Sequence, residues 1–276
     1  MLTFPNAKIN IGLNIVSKRK DSFHNLETVF FPLKGLYDAL EFIPSAETKF
    51  ILSGFIIDGN PADNLVLKAY SLLKDRYTLP PLSIHLRKAI PSGAGLGGGS
   101  ADAAFMLKSL QEYFQLHLNS DELIGMAAQL GSDCAFFITN EPAFATGKGE
   151  VLQTVSVSLK GKHIAIIKPP FSVNTKKAYS GILPATPSNS LLDLIKEPVE
   201  QWKDKIINDF ELSVFQKFPE LRLIKQSLYE LGALYSSMSG SGSAIYGIFD
   251  TMPDIPSLPE NYFVWKGSIV DPDVRS

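Results

Sequence analysis

The chain has 276 residues, of which 45% are hydrophobic and 20% are charged, and its formal net charge is −2. These values are typical of a globular enzyme and exclude a disordered or coiled-coil protein. No basic face or run of Lys and Arg accumulates, which argues against nucleic acid or a membrane surface as a partner. The length allows two lobes or one large domain.

Cys134 is the single cysteine, which excludes an intrachain disulfide and favours a reducing cytoplasm. No apolar run approaches the ~20 residues that cross a bilayer, and Lys8 interrupts the apolar core that a signal peptide would need. We expect a soluble, cytoplasmic protein with no obligate protein partner. The four histidines are scattered, so no metal-ligating residues are predicted.

The first predicted element is a strand. Over residues 7–15, apolar residues alternate with Lys8, Asn10 and Asn14. This period of two predicts a half-buried strand that turns those polar side chains toward solvent.

The remaining elements follow from apolar periodicity and from cap and turn residues. Asn64 is expected to cap the first helix, and Gly131 is expected to end the third. In chain order the predictions are strands over 26–33 and 38–58, a helix over 65–77, a strand over 82–88, helices over 101–115 and 121–130, a strand over 163–168, helices over 191–196, 200–215 and 219–231, and a last strand over 262–269. A gentle change in composition places a lobe boundary near residue 158.

Residues 91–99, P-S-G-A-G-L-G-G-G, are here called the glycine loop. Five of the seven positions from Gly93 to Gly99 are glycine, so consecutive N–H groups can point into one concavity. The helix that follows, with Ser100 as its expected N-cap, adds the positive end of its dipole. This combination suits a phosphate chain.

Other interpretations of the glycine loop compete. G-A-G-L-G-G fits the pattern of a dinucleotide-binding turn, but Pro91 and Ser92 interrupt the preceding strand, and a second helix follows the first. A Walker A loop needs a lysine that this loop lacks, and the chain has neither H-R-D nor D-F-G of protein kinases. A flexible hinge is the remaining structural alternative.

Two further segments carry polar or small residues at turns. Asp133 follows Gly131 and precedes the apolar stretch C-A-F-F-I. In isolation it is a turn or cap residue, but beside a phosphate site it could orient or deprotonate a hydroxyl. Residues 238–243, M-S-G-S-G-S, form a second small-residue loop that can approach a ligand.

Four stretches resemble the GHMP small-molecule kinase superfamily in order and spacing: A-K-I-N-I-G-L-N-I, P-S-G-A-G-L-G-G-G-S-A-D-A-A, G-S-D-C-A-F-F and M-S-G-S-G-S-A-I-Y-G-I-F. Together they span nearly the whole chain. Within the superfamily, F-H-N-L-E-T-V-F and N-D-F-E are similar to the branch that acts on a cytidine diphosphate-linked sugar alcohol in the non-mevalonate isoprenoid pathway.

The resemblance implies an α+β, two-lobed GHMP kinase fold. Its N-terminal lobe, over 1–158, would bind ATP and resemble domain 2 of ribosomal protein S5, and its C-terminal lobe, over 159–276, would be ferredoxin-like. ATP and the small-molecule substrate, which carries a cytidine diphosphate group, would meet in the cleft between the lobes. The implied reaction is ATP-dependent phosphorylation of the substrate's 2-hydroxyl, with ATP and Mg²⁺ as cofactors.

The resemblance also assigns residues. Lys8 and Asp133 match the family's catalytic pair. The positions that match the ATP site are Asn64, Leu65, Lys88, Pro91, Gly93, Ala94, Gly95, Leu96, Gly97, Gly98, Gly99 and Ser100. The positions that match the substrate site are Asn10, Phe23, His24, Thr175, Tyr179, Gly240, Ser241 and Gly242. Of these, His24 would read the pyrimidine edge and Phe23 would stack on the base.

Two departures from the family pattern stand beside these matches. Ser22-Phe23-His24 replaces the usual Gly-Tyr-His, which removes a phenolic hydroxyl, and Ala101 replaces the usual second serine after the glycines. Neither departure changes the matched catalytic pair.

In the implied mechanism, Asp133 would accept the proton of the attacking hydroxyl or only orient it, since an aspartate with a pKa of about 4 is a weak base. Lys8 would stabilise negative charge. Another GHMP member, such as a mevalonate, phosphomevalonate or homoserine kinase, and a non-catalytic nucleotide-binding relative remain as alternatives.

Overall fold

The computed structural model describes residues 1–57, 59–179 and 182–269. Its strands are β1 (Leu2–Thr3), β2 (Asn6–Lys18), β3 (His24–Tyr37), β4 (Ala39–Pro44), β5 (Lys49–Gly54), β6 (Leu82–Lys88), β7 (Ala143–Thr146), β8 (Val151–Thr154), β9 (His163–Lys168), β10 (Tyr235–Met238), β11 (Ile245–Phe249) and β12 (Phe263–Ser268). Its α-helices are α1 (Leu65–Arg76), α2 (Gly98–Tyr113), α3 (Ser120–Leu130), α4 (Cys134–Thr139), α5 (Thr175–Ala178), α6 (Leu191–Leu194), α7 (Phe210–Lys217) and α8 (Pro219–Glu230).

The chain forms two compact units that interleave in sequence. Unit 1 comprises Met1–Ala7, Leu36–Ser92 and Gly97–Glu141, and unit 2 comprises Lys8–Gly35, Gly93–Leu96 and Pro142–Ser276. Both strands and helices occur in each unit, which agrees with the predicted α+β class. The lobe boundary near residue 158 stays a prediction.

Unit 1 contains a four-stranded sheet in the order β1-β4-β6-β5, with β5 parallel to β6 and the other pairs antiparallel. Alternate residues of β6, such as Leu82, Ile84 and Leu86, are buried, so one face of this sheet packs on the interior. Helices α1 to α4 pack against one another in the same unit.

The predicted caps of two helices are confirmed. Asn64 lies at the N-cap of α1, where its side-chain oxygen accepts a hydrogen bond of 2.9 Å from the N–H of Val66. Asn119 and Glu122 form a reciprocal capping box at the start of α3, and Gly131 follows its last residue. Short-range sequence signals therefore determine where these helices begin and end.

Helix α2 begins earlier than predicted. Its N-cap is Gly97, with a φ of 72°, and its first residue is Gly98. The prediction of Ser100 as N-cap is therefore wrong, because glycine adopts this left-handed conformation without strain and the helix starts at once behind it.

Unit 2 contains two sheets, one in the order β10-β11-β9-β12 and one in which β2 and β3 are followed by β7 and β8. Leu13 and Ile15 of β2 belong to a core cluster that also includes Val214 of α7 and Leu221 and Leu228 of α8. Helix α8 packs against β10, β11 and α7 in this unit, so the apolar faces of these elements share one core with β2.

The prediction that β2 has a solvated polar face is wrong. Lys8 and Asn10 are each 3% exposed, and Asn14 is also buried. Alternation of polar and apolar residues cannot distinguish a face in solvent from a face covered by further chain whose polar groups are paired internally. Lys8 and Asn10 lie on a face that is covered by further chain, and their polar groups are paired internally.

The predicted helix over 200–215 is also only partly correct, because α7 begins at Phe210. Asp204 has a φ of 63°, which interrupts helical backbone. Leu13 of β2 donates its N–H to the carbonyl of Ile207 at 2.9 Å and accepts the N–H of Asp209 at 2.8 Å. The segment before α7 therefore pairs with β2.

Among the described helices, none combines the length and the apolar composition that a membrane span requires.

Candidate active site

The glycine loop has a backbone that favours glycine at three positions. Gly93, Gly95 and Gly97 have φ angles of 60°, 74° and 72°. A Cβ atom at Gly95 would collide with the carbonyl oxygen of Ser239 in the same unit. Glycine is therefore needed here both for its conformation and for the close approach of another backbone segment.

The middle of the glycine loop, Gly93–Leu96, is part of unit 2 and is hydrogen-bonded there. Three bonds hold it: Ala244 N–H to Ala94 O at 3.1 Å, Ser239 Oγ to Gly95 O at 2.8 Å, and Lys8 N–H to Leu96 O at 2.9 Å. The second small-residue loop, predicted over 238–243, thus contacts the glycine loop directly.

Lys8 and Asn10 are the polar residues of β2 that reach this region. The Lys8 ammonium donates to Asn10 Oδ1 at 2.5 Å and to the carbonyl of Gly95 at 3.1 Å, and it lies 4.9 Å from the ring centroid of Phe30. Asn10 in turn donates to Thr28 Oγ1 at 3.0 Å. The structure therefore brings the predicted Lys8, Asn10 and glycine loop together within unit 2.

The residues predicted to bind the pyrimidine form an aromatic cluster in unit 2. The rings of His24 and Tyr179 stack with centroids 4.7 Å apart, and Tyr179 packs edge-on against Phe210. Phe23 is 58% exposed, and Lys148 Nζ lies 5.0 Å from its ring centroid. The Phe23 ring is thus an exposed aromatic surface, adjacent to His24 in sequence, on which a base could stack.

Thr175 and the loop around Ser241 also lie together. Thr175 Oγ1 and Ser241 Oγ are 2.9 Å apart. Asn208, which is buried, donates through its amide to the carbonyls of Met238 and Gly240, each at 2.8 Å. Asn208 was not among the predicted site residues, although the N-D-F-E stretch contained the signal.

The two acidic residues of that stretch hold backbone groups. Asp209 Oδ2 accepts the N–H of Ile15 at 2.6 Å, and burial raises the pKa of the Asp209 carboxyl. Glu211 Oε1 accepts the N–H of Met238 at 2.8 Å, and its other oxygen pairs with Lys225 at 2.6 Å. Asp209 therefore supports β2, and Glu211 supports the end of β10 just before the loop over 238–243.

Unit 1 supplies the second half of the glycine loop and the start of α2. The N-cap Gly97 has no side chain and makes no side-chain cap bond to the N–H groups of the first helical turn. Such donors at the positive end of a 16-residue helix are suited to an anion. Ser100 lies in this turn beside Cys134, whose thiol pKa burial raises to about 11.

Asp133 lies at the N-cap position of α4 in unit 1. Its backbone is helical, and its side chain makes no capping hydrogen bond to α4. Asp133 is half-buried. The prediction of an ordinary cap residue is therefore only partly correct, because the residue has the cap position without the cap bond.

Lys88 occupies a different environment from that of a ligand-facing residue. It is the last residue of β6 and is buried, and its ammonium pairs with Asp38 and, at 2.6 Å, with Asp102. Burial lowers the Lys88 pKa, but the two carboxylates outweigh it and raise the pKa overall. Burial also raises the pKa of Asp102 to about 7, against the opposing effect of Lys88. The sequence did not predict Asp38 or Asp102.

A cavity of about 610 Å³ lies elsewhere in unit 2, next to α6 and α7. Its described lining includes Asn14, Leu191 and Arg222 and none of the predicted site residues. Its charged groups are of both signs, and Lys205 and Glu211 are paired with other residues of unit 2. Asn208, Asp209 and Glu211, which hold backbone groups of β2 and of the 238–243 loop, also line this cavity.

The chain matches the family models of both GHMP kinase domains, the N terminal domain over residues 64–141 and the C terminal domain over residues 190–256. It is 54% identical over 275 residues to a 4-diphosphocytidyl-2-C-methyl-D-erythritol kinase of Bacteroides thetaiotaomicron, covering 98% of this chain and all of the relative. A kinase of the same name from Parabacteroides distasonis is 50% identical, again over 98% of this chain and all of the relative. The chain belongs to the 4-diphosphocytidyl-2-C-methyl-D-erythritol kinase family.

Solved structures agree with this membership. A crystal structure of 4-(cytidine 5'-diphospho)-2C-methyl-D-erythritol kinase aligns with a TM-score of 0.74 at 32% identity, covering 90% of this chain and 89% of the other. The mevalonate kinase of Methanococcus jannaschii aligns with a TM-score of 0.66 at 11% identity, covering 98% of each chain, and shares the fold alone. The two-lobed GHMP kinase fold implied by the motifs is confirmed, and the chain is an ATP-dependent small-molecule kinase.

The two family models match only some of the residues that were predicted to form the site. The N-terminal match includes the glycine loop and Asp133, whereas Lys8, Phe23 and His24 precede it. Tyr179 lies between the two matches. The roles of these residues therefore stay predictions that rest on the motifs and on the contacts above.

Proposed function

We propose that this chain transfers the γ-phosphoryl group of ATP to the 2-hydroxyl of 4-diphosphocytidyl-2-C-methyl-D-erythritol. The observation that supports it best is the set of contacts at Lys8, whose ammonium bonds both to Asn10 and to the carbonyl of Gly95. A cation is thereby held beside a phosphate-binding loop on a buried strand. Phosphoryl transfer requires such charge stabilisation and positioning more than covalent chemistry.

The ATP phosphates would bind the N–H groups of the glycine loop and of the first turn of α2. Asn64 and Leu65 would contact the adenine. Lys88 is left out of this proposed set because its ammonium is enclosed by two carboxylates. Each assignment rests on the family motif and on local backbone geometry.

Mg²⁺ is proposed as the companion of ATP. Among the described residues no group of three His, Cys, Asp or Glu side chains could hold a metal ion. The open donors at the start of α2 fit an anionic triphosphate, and Mg²⁺ in kinase sites takes several of its ligands from phosphates and water. When bound, the ion neutralises phosphate charge, and Ser100 would lie near it.

The substrate's cytosine would stack on Phe23 with its edge toward His24. The stack of His24 on Tyr179 holds the imidazole in a fixed plane. Thr175 and Ser241, whose hydroxyl oxygens lie 2.9 Å apart, would border the path of the diphosphate. Gly240 and Gly242 would let the backbone approach that group closely.

In the proposed chemical step, the substrate 2-hydroxyl oxygen forms a bond to the γ-phosphorus while the bond from that phosphorus to the β,γ-bridging oxygen breaks. ADP leaves with the electron pair of the broken bond. Asp133 orients the hydroxyl and takes its proton as the new bond forms. Lys8 stabilises the negative charge on the transferring group.

An ADP-release assay tests this function. The chain is supplied with ATP, Mg²⁺ and either 4-diphosphocytidyl-2-C-methyl-D-erythritol, mevalonate, phosphomevalonate or homoserine. We expect turnover with the cytidine-linked alcohol alone. Comparable turnover with mevalonate or homoserine would reject the proposed substrate. If none of the four compounds causes ADP to be released, the proposed phosphoryl transfer is rejected.

A cytoplasmic location and the lack of an obligate protein partner stay predictions.

A further inference from the structure

Asp38, Lys88 and Asp102, here called the buried triad, connect the two ends of the glycine loop within unit 1. Lys88 ends β6 just before the loop, and Asp102 lies in the second turn of α2 just after it. Lys88 Nζ bonds to Asp102 Oδ2 at 2.6 Å and also to Asp38. One ammonium therefore bridges the strand that enters the loop and the helix that leaves it.

Asp38 extends this connection to the backbone. Its Oδ1 accepts the N–H groups of Ala89 at 2.6 Å and Ile90 at 2.8 Å, the residues between β6 and the loop. The side chains of Asp38 and Lys88 are 0% and 2% exposed. The chain direction at the start of the loop is thus fixed by charged hydrogen bonds in a low-dielectric interior, where such bonds are strong.

The charges of the buried triad are not the choice that would give the fold the highest stability. Two carboxylates face one ammonium, and Asp102 Oδ1 is buried with no hydrogen-bond partner in the part of the chain that the structure describes. An unsatisfied buried polar atom destabilises a fold, and apolar residues of similar volume often serve stability better than a buried ion pair. Stability therefore does not account for Asp102.

The position of the Lys88 ammonium is a second observation that links the buried triad to the start of α2. A Cβ atom at Gly98, the first residue of α2, would lie 3.2 Å from Lys88 Nζ. The triad therefore packs directly beneath the helix start whose N–H groups face the phosphates in the proposed function. A small shift of that helix start would misalign several phosphate donors at once.

We propose that Lys88 and Asp102 are positioning residues that fix the start of α2 for ATP, with Asp38 as their backbone anchor. This inference rests on the proposed function, in which the glycine loop holds the ATP phosphates. Neither side chain contacts the nucleotide. They affect the reaction indirectly, because they fix the angle between β6 and α2 and thereby the position of the phosphate donors.

The test uses Asp102→Ala, which removes the link to α2 and leaves Lys88 paired with Asp38. The affinity for a non-hydrolysable ATP analogue with Mg²⁺ is measured by calorimetry, and stability by thermal unfolding. We expect a Kd for the analogue that is roughly 10-fold to 100-fold weaker, with a melting temperature equal to or above that of the unchanged chain. Asp102→Asn keeps an acceptor for Lys88 and should restore the Kd to within about threefold.

Lys108→Met is the matched control, because Lys108 is on the same helix and its ammonium donates to the carbonyl of Ile138 at 3.1 Å, away from the buried triad. It should leave the Kd within about twofold. An unchanged Kd for Asp102→Ala overturns the inference, as does an equal loss for Lys108→Met. If Asp102→Ala does not fold, Asp102→Leu fills the space and is judged by the same criterion. Failure of the unchanged chain to bind the analogue would instead reject the proposed function.

Discussion

At the scale of single residues, the predicted site depends on polar side chains that are paired inside the protein. Lys8, Asn10 and Thr28 form a chain of hydrogen bonds on the polar face of β2. The sequence identified Lys8 and Asn10 through their alternation and through the family motif. It could not identify Thr28 as their partner, because that contact joins two strands and leaves no local pattern.

Asp133 carries the sharpest prediction at this scale. Asp133→Asn keeps the size of the side chain but removes its ability to take a proton, so kcat should fall at least ~100-fold while the Kd for ATP changes little. Steady-state kinetics and calorimetry measure the two quantities. Asp121→Asn, the same change in the exposed first turn of α3, is the control and should leave kcat unchanged. Near-normal turnover of Asp133→Asn would remove Asp133 from the mechanism.

At the scale of elements, the glycine loop and its flanking strand and helix show what local sequence can and cannot predict. The strand over 82–88 and the helix behind the glycines were predicted because glycines and periodicity are local signals, although the helix begins at Gly98 and not after Ser100. Asp102 was missed because a charged residue in a helix is normally exposed. Its burial depends on Lys88 of β6, a contact made only in the folded chain.

Gly95 tests the geometry of that loop. Gly95→Ala puts a Cβ on a residue with a φ of 74° and against the carbonyl of Ser239, so the free energy of unfolding should fall by about 1 to 3 kcal/mol. The KM for ATP should rise as the loop shifts. Gly125→Ala is the control, since Gly125 lies in α3 with open space around it and should gain up to about 1 kcal/mol. Equal effects of the two changes in chemical denaturation would contradict the account.

At the scale of the whole molecule, the α+β class and the GHMP kinase fold could be predicted from four separated motifs. The interleaving of the two units could not, because Lys8–Gly35 and Gly93–Leu96 join unit 2 through contacts that are distant in sequence. The helix predicted over 200–215 was only partly correct for the same reason. Its first part pairs with Leu13, and a long-range strand contact outweighs local helix propensity.

Global stability should report the charge state of the buried triad. The pKa of Asp102 is raised to about 7 from a model-compound value of 3.8, so the native state holds a proton that the unfolded state releases between these pH values. The free energy of unfolding should therefore fall as pH rises from about 4 to about 7, relative to Asp102→Asn, which cannot ionise. Denaturant unfolding of both proteins at pH 5 and pH 8 measures this. Parallel pH dependence of the two would show that Asp102 does not titrate in that range.

The central claim is that the chain phosphorylates the 2-hydroxyl of a cytidine-linked alcohol, and the phosphorus-31 NMR spectrum of the reaction product tests it most directly. The 2-carbon of the methylerythritol carries a methyl group and no hydrogen. Phosphorylation there should give a new phosphomonoester signal without coupling to a proton on the attached carbon, together with ADP in equal amount. A new signal split by such protons, or ADP with no new phosphomonoester, would contradict the account.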